Sequence, residues 1–252
     1  TGAGWTTVGA LATGDRVALA RDIPEPTDAI RWPEDHVVLL GQMLGDGSFL
    51  SGQPMRYTTA SEANSDAVTV AAQRGFEVTV TRYKGKGNWH QLLISGNGNR
   101  WKPAGVNAWL RGLGIFGLRS HEKFIPDEAF RLADDQIALL LRHLWATDGS
   151  IFSGPRADGR HSTRVAYSSS SPRLAADVAA LLLRLGIVAR TTIARSEGKC
   201  DMHHVLVSGQ EAQRRFLATV GAFGPRVEQA ERLSEYLDTV AATTNVDTLP
   251  AE

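Results

Sequence analysis

Two acidic dipeptides stand at matching places in this chain. Asp46-Gly47 closes the run LLGQMLGDGSF (39–49), and Asp148-Gly149 closes LLRHLWATDGSIF (140–152). In both, apolar residues at helical spacing lead straight into a carboxylate. A carboxylate at a helix C-terminus faces the negative end of the helix dipole, and two brought together repel each other. A hard divalent cation such as Mg2+, which takes carboxylate, carbonyl and water oxygens, relieves that repulsion. The carbonyls of Gly45 and Thr147, freed where the helices end, are natural further ligands. Gly41 and Gly45 lie four apart on one helix face and let a second backbone approach closely. Such packing would bring Asp46 and Asp148 together. The glycine after each Asp is expected to leave its helix in a left-handed turn.

The elements that would position these carboxylates come in two sets. Asp46-Gly-Ser-Phe aligns with Asp148-Gly-Ser-Ile at an offset of 102. Four further blocks follow in the same order. Tyr57-Thr-Thr-Ala-Ser matches Tyr167-Ser-Ser-Ser-Ser, and AVTVAAQRGFEVTVTR (67–82) matches VAALLLRLGIVARTTIAR (178–195). KGNWHQLLISG (86–96) matches KCDMHHVLVSG (199–209), and WLRGLGIFGLR (109–119) matches FLATVGAFGPR (216–226). Conserved order at nearly constant spacing marks an internal repeat. Each copy reads as helix, two strands, helix, two strands or a strand and turn, helix. The first helix is expected to start at Pro33, the second near Pro126-Asp127 or Asp134-Asp135. Hairpins without βαβ alternation indicate an α+β fold. The expected divisions are an N-terminal flank over 1–33, one half over 34–126, a second over 127–240, and a C-terminal flank over 241–252. The first flank reads as strands with a Thr-Gly-Asp turn (5–26), the last as a polar tail.

Composition narrows the class. The single cysteine, Cys200, excludes an internal disulfide framework and suits a reducing, cytoplasmic setting. No apolar run reaches the roughly 20 residues that span a bilayer, so no membrane partner is expected. Net charge is zero, yet Gly47–Lys123 holds 10 Lys/Arg against 4 Asp/Glu, and Gly149–Lys199 holds 8 against 3. A neutral average thus hides a basic block after each Asp-Gly. On strands those cations can read base edges or bind phosphates. The candidates are Arg56, Tyr83, Lys84, Lys86 and Asn88 in the first half, and Arg160, Arg164, Arg190, Arg195 and Lys199 in the second. Cys200, His203 and His204 lack the spacing of a metal site, and Trp101 and Trp109 read as packing residues.

LLGQMLGDG (39–47) and LRHLWATDG (141–149) resemble the paired helix motifs of single-chain LAGLIDADG homing endonucleases. The flanks TVGALATGDRVALA and NVDTLP, and the segment HEKFIPDEAF (121–130), are similar to inteins, most closely those of bacterial replicative DNA helicases. The resemblance implies two pseudo-symmetric αββαββα halves with motif helices at the interface and antiparallel saddle sheets on DNA. It implies a monomer that cuts both strands of a long recognition site at the intein insertion point, with Mg2+ as cofactor and Mn2+ able to substitute. Asp46 and Asp148 would hold metal, and Lys123 would position or polarise the attacking water or stabilise the charge on the phosphate. Lys123 falls on Ala230 in the repeat, so the second half would use Arg226 or have no equivalent. The alternative is a DNA-binding protein of this fold that has lost cleavage. The second motif has His143 and Thr147 where small residues usually pack. Thr1-Gly2 and Ala251-Glu252 are not splicing residues, so the chain as given is not expected to splice.

Overall fold

The computed structural model describes residues 4–15, 17, 20, 23–195, 197–198 and 200–240. The first set of elements is α1 (Glu34–Asp46), β1 (Gly47–Ser48), β2 (Met55–Thr59), α2 (Glu62–Phe76), β3 (Thr79–Lys84), β4 (His90–Ser95) and α3 (Gly105–Gly112). The second is α4 (Asp134–Asp148), β5 (Gly149–Pro155), β6 (His161–Ser169), α5 (Pro172–Arg184), β7 (Ala189–Ala194), β8 (Met202–Val207) and α6 (Gln210–Thr219), followed by α7 (Val227–Thr239). The architecture is αββαββα twice. Each sheet is antiparallel and four-stranded, in the order β1-β2-β4-β3 and β5-β6-β8-β7.

Local chemistry explains the element ends. Ser61 and Ser171 are matched N-caps, accepting from the amides of Asn64 and Leu174. Asp134 and Asp135 place negative charge in the first turn of α4, where the helix dipole favours it. The Pro126-Asp127 alternative starts only a 3-10 segment, Asp127–Arg131. The motif helices are clipped together at their N-termini: Ile30 bridges Leu132 in parallel, and both backbone groups of Trp32 bond the Gln136 amide.

Strand alternation sorts each sheet into two faces. Met55, Tyr57 and Thr59 of β2, with His90, Leu92 and Ile94 of β4, are buried towards the helices. Val165, Tyr167, Val205 and Val207 do the same in the second sheet. The opposite faces are open. Buried residues of both halves form one continuous core, with α1 against α4 at its centre. No helix of the described residues is long and apolar enough to cross a membrane.

Two expectations fail. Among the described residues of the N-terminal flank there is no strand. Val8–Ala10 is a 3-10 turn and Asp15 accepts from the Ala12 amide; none of the described residues of 4–26 joins a sheet. The polar tail lies outside the described residues. Trp101 is not packed but 83% exposed, on a nine-residue loop (96–104) that replaces the two-residue link between β8 and α6. Trp109 does pack, against Trp32, His36 and Phe76.

Candidate functional site

The floor of the site is the crossing of α1 and α4. A Cβ added at Gly41 would lie 2.8 Å from Leu140 O and 2.9 Å from His143 Cβ. One at Gly45 would overlap Thr147, with Cβ 2.5 Å away. Glycine on α1 therefore sets how closely the helices approach, and His143 and Thr147 fill the space that two hydrogens leave. The helices end side by side at Asp46 and Asp148.

Gly47 and Gly149 are not left-handed. Their φ values are −78° and −79°, ordinary extended backbone that begins β1 and β5. Glycine is required there for space. A Cβ at 47 would meet Met43 O at 2.5 Å, and one at 149 would meet Trp145 O at 2.5 Å and overlap the indole. The sharp exit from helix to strand brings the chain back over its own last turn.

The Asp148 carboxylate senses Asp46. Asp46 is half-buried and Asp148 is exposed on the open side. The Asp148 carboxyl is raised to about 6, first because dense protein beneath it strips away water, then because Asp46 repels it; Lys123 and Arg226 oppose both effects. Asp46 is also raised by burial, against the same two cations.

Each helix end is capped by one of those cations. Lys123 is 3% exposed. Its Nζ donates to the carbonyls of Met43 (3.1 Å), Leu44 (2.9 Å), Gly45 (3.1 Å) and Gly47 (2.8 Å), neutralising the end of α1. Burial pulls its pKa down to about 8, while Asp148 and Asp46 pull it back up. Arg226 does the matching work on α4, donating to Trp145 O at 3.4 Å and Thr147 O at 3.1 Å. Gly45 O and Thr147 O thus each accept one bond from a cation and keep one lone pair.

A polar network missed by sequence reasoning lies below. Tyr57 donates to Gln42 Oε1 at 2.5 Å, and Gln42 Nε2 sits 3.1 Å from His143 Nδ1 across the helix interface. Burial, with Arg142 nearby, lowers His143 to about 4, so it is neutral. The second half has Leu144 where the first has Gln42, and the buried Tyr167 hydroxyl has no protein partner. No local periodicity announces such contacts; only the mismatch of Gln42 with Leu144 in the repeat could have hinted at them.

The open sheet faces hold part of the candidate basic set. Arg56 and Tyr83 lie on the open face of the first sheet, with Thr58, Thr81 and Gln91. Lys84 pairs with buried His90, so it points to the helix side, away from Tyr83. Lys86 and Asn88 occupy the β3–β4 turn. In the second sheet Arg164 and Arg190 face outwards with Thr192 and His204. Arg160 lies in the β5–β6 turn, and Arg195 just past β7 is paired with Asp201 at 3.7 Å. Lys199 lies outside the described residues. The threonines and Gln91 were missed because the candidate set drew on lysine, arginine, asparagine and one tyrosine; strand alternation from Arg56 would have found them.

Two matched αββαββα halves thus meet through helices that end in Asp-Gly, with glycine lining one side of the crossing only. Residues 135–221, in the second half, match the family model of the LAGLIDADG-like domain. It is 38% identical over 98% of its length to the replicative DNA helicase DnaB of Rhodothermus marinus, covering 26% of that protein. It is 30% identical over 88% of its length to protein RecA of Mycobacterium tuberculosis, covering 29% of it. The chain thus spans under a third of the length of these two relatives. A solved structure of I-DmoI in complex with DNA and Mn aligns with TM-score 0.49 and 14% identity, covering 75% of this chain and 96% of that one.

Proposed function

We infer that this protein is the homing endonuclease of an intein, cutting both strands of duplex DNA at the insertion site with a divalent metal. One observation carries the reading: Asp46 and Asp148, from separate halves, end two helices packed against each other at Gly45 and Thr147, and Asp46 helps to raise the Asp148 carboxyl. Binding DNA does not require such a repulsive pair; holding a cation does. The resemblance to helicase and RecA segments supports the insert reading, and the matched segment carries no phosphate-binding loop of the Gly-x4-Gly-Lys-Ser/Thr type.

The residues present fit Mg2+. Asp46 and Asp148 would hold it, with one free lone pair each on Gly45 O and Thr147 O. Among the described residues no three His, Cys, Asp or Glu side chains gather to complete a protein-only site. Mg2+ characteristically takes one or two carboxylates and completes its shell with water and phosphate oxygens. When bound, the ion would lower the pKa of a water and neutralise charge on the phosphate. Lys123 and Arg226 fix the two helix ends, and so the carboxylates, and soften the negative potential that would repel DNA. Arg56, Tyr83, Lys86, Asn88, Arg160, Arg164, Arg190 and Arg195 would hold the duplex along the open faces. Lys84, on the other side, would reach only a phosphate at the sheet edge. Lys199 keeps its place as a phosphate contact on sequence grounds.

The test is a plasmid carrying the uninterrupted insertion site, incubated with Mg2+. Linear product from the wild type is expected. Asp46→Asn and Asp148→Asn should each abolish it while binding the site nearly as tightly. Wild-type binding without cutting would establish the cleavage-deficient DNA binder instead.

A further inference from the structure

Each carboxylate-bearing helix end is gripped from the opposite half. Asn64 on α2 of the first half is 2% exposed and donates Nδ2 to Ala146 O of α4 at 3.2 Å. It also abuts the turn that carries Arg226: a Cβ at Gly224 would lie 2.7 Å from Asn64 Oδ1. Ser171, first residue of the α5 cap in the second half, is 1% exposed and donates its hydroxyl to Lys123 O at 2.6 Å. Lys123 holds four carbonyls at the end of α1. The N-terminus of α2 thus braces the helix of Asp148, and the N-terminus of α5, through Lys123, braces the helix of Asp46.

Neither contact is needed by the helix that makes it. Ser171 caps α5 with an oxygen lone pair, accepting from Leu174 N at 3.1 Å, and its O–H is left free for Lys123. Asn64 has its own amide capped by Ser61 at 3.2 Å, so its side chain is spare. Asn and Ser at the first turns of matched helices solve one problem by different bonds. Buried donors aimed at backbone carbonyls of the other half fix position with little freedom to slip.

We propose that Asn64 and Ser171 are positioning residues that set each half's acidic group from the other half, so both are correctly placed only when the halves are docked. This rests on the endonuclease reading for its consequence in cutting, and on the fold alone for its consequence in mobility. Two measurements on the full chain separate these.

Hydrogen exchange reads the bracing directly. Ser171→Ala should speed exchange about tenfold, the size of one lost hydrogen bond, over residues 43–48, with little change over 145–150. Ser171→Thr, which keeps the hydroxyl, should restore it. Asn64→Ala should do the reverse, loosening 145–150 and sparing 43–48. Asn64→Asp, of the same shape but without the N–H donors, should match it. If each variant loosens only its own half's motif end, or both ends equally, the proposal is overturned.

Cutting of a strand-labelled duplex reads the consequence. Both variants should nick, with opposite strand preference, at unchanged affinity for the site. Equal slowing of both strands in both variants would overturn the positioning role. A wild type that does not cut would sink the endonuclease reading, and the exchange pattern would still decide the bracing.

Discussion

Lys123 spends its ammonium on backbone. Three N–H protons shared among four carbonyls leave no donor to aim at a water, so its effect on chemistry runs through the shape and potential of the α1 end. Lys123→Met should therefore lower cutting by roughly 10²-fold or more, the scale of a misplaced catalytic group, and should also lower the melting temperature. A water-orienting lysine would lose rate without losing stability, and thermal melts beside single-turnover rates distinguish the two. Asp148 gives a pH test. A carboxyl raised to about 6 in the folded state stabilises the fold below its unfolded value near 4, and that contribution is lost as pH rises through 6. Without metal, wild type should gain stability relative to Asp148→Asn as pH falls from 6 to 4. Cutting should run the other way, falling about tenfold per pH unit below 6 as the protonated carboxyl loses its ion. Stability difference curves and pH–rate profiles check both signs. Asp46 and Asp148 were legible in the sequence because they recur at one offset. Lys123 was legible by position but not by role, since four carbonyls from residues 43–47 converge on it only after folding.

At the scale of elements, the crossing of α1 and α4 rests on unequal partners: hydrogen on one side, Thr147 and His143 on the other. Gly45→Ala should cost about 1–3 kcal/mol, the usual penalty for overpacking. Adding Thr147→Gly should recover most of it, since the two sites are in contact and their effects are not additive. Urea titrations of the two single variants and the double variant measure the coupling; additive losses would place the collision elsewhere. The Gly-x3-Gly spacing showed this interface in the sequence. The glycines after each Asp were legible as necessary but for the wrong reason. A dipeptide shows that a side chain is missing, and only the returning strand shows that Met43 and Trp145 fill its place. The strand pattern of the N-terminal flank misled for a related reason: a strand is stable only beside a partner, and sequence periodicity carries no information about the partner's presence.

Over the whole molecule, zero net charge coexists with two basic sequence blocks, part of which lies on the open sheet faces. Affinity for the target duplex should fall steeply with salt, by about 10³–10⁵ between 50 and 200 mM if six to ten phosphates are contacted. Filter binding across that range checks it, and a flat profile would remove the sheets from the interface. The repeat made the overall architecture readable because each copy predicted the other. What it hid is every place where the copies differ: Gln42 against Leu144, the loop bearing Trp101 against a two-residue link, Asn64 against Leu174.

The mismatch at the helix crossing also decides what the halves can no longer do. Two copies of the second motif helix placed face to face would drive threonine into threonine and imidazole into imidazole. Two copies of the first, glycine against glycine, would meet at a shorter separation than the present crossing holds. The spacing at the crossing therefore suits the unlike pair, and it tells each half which partner it has.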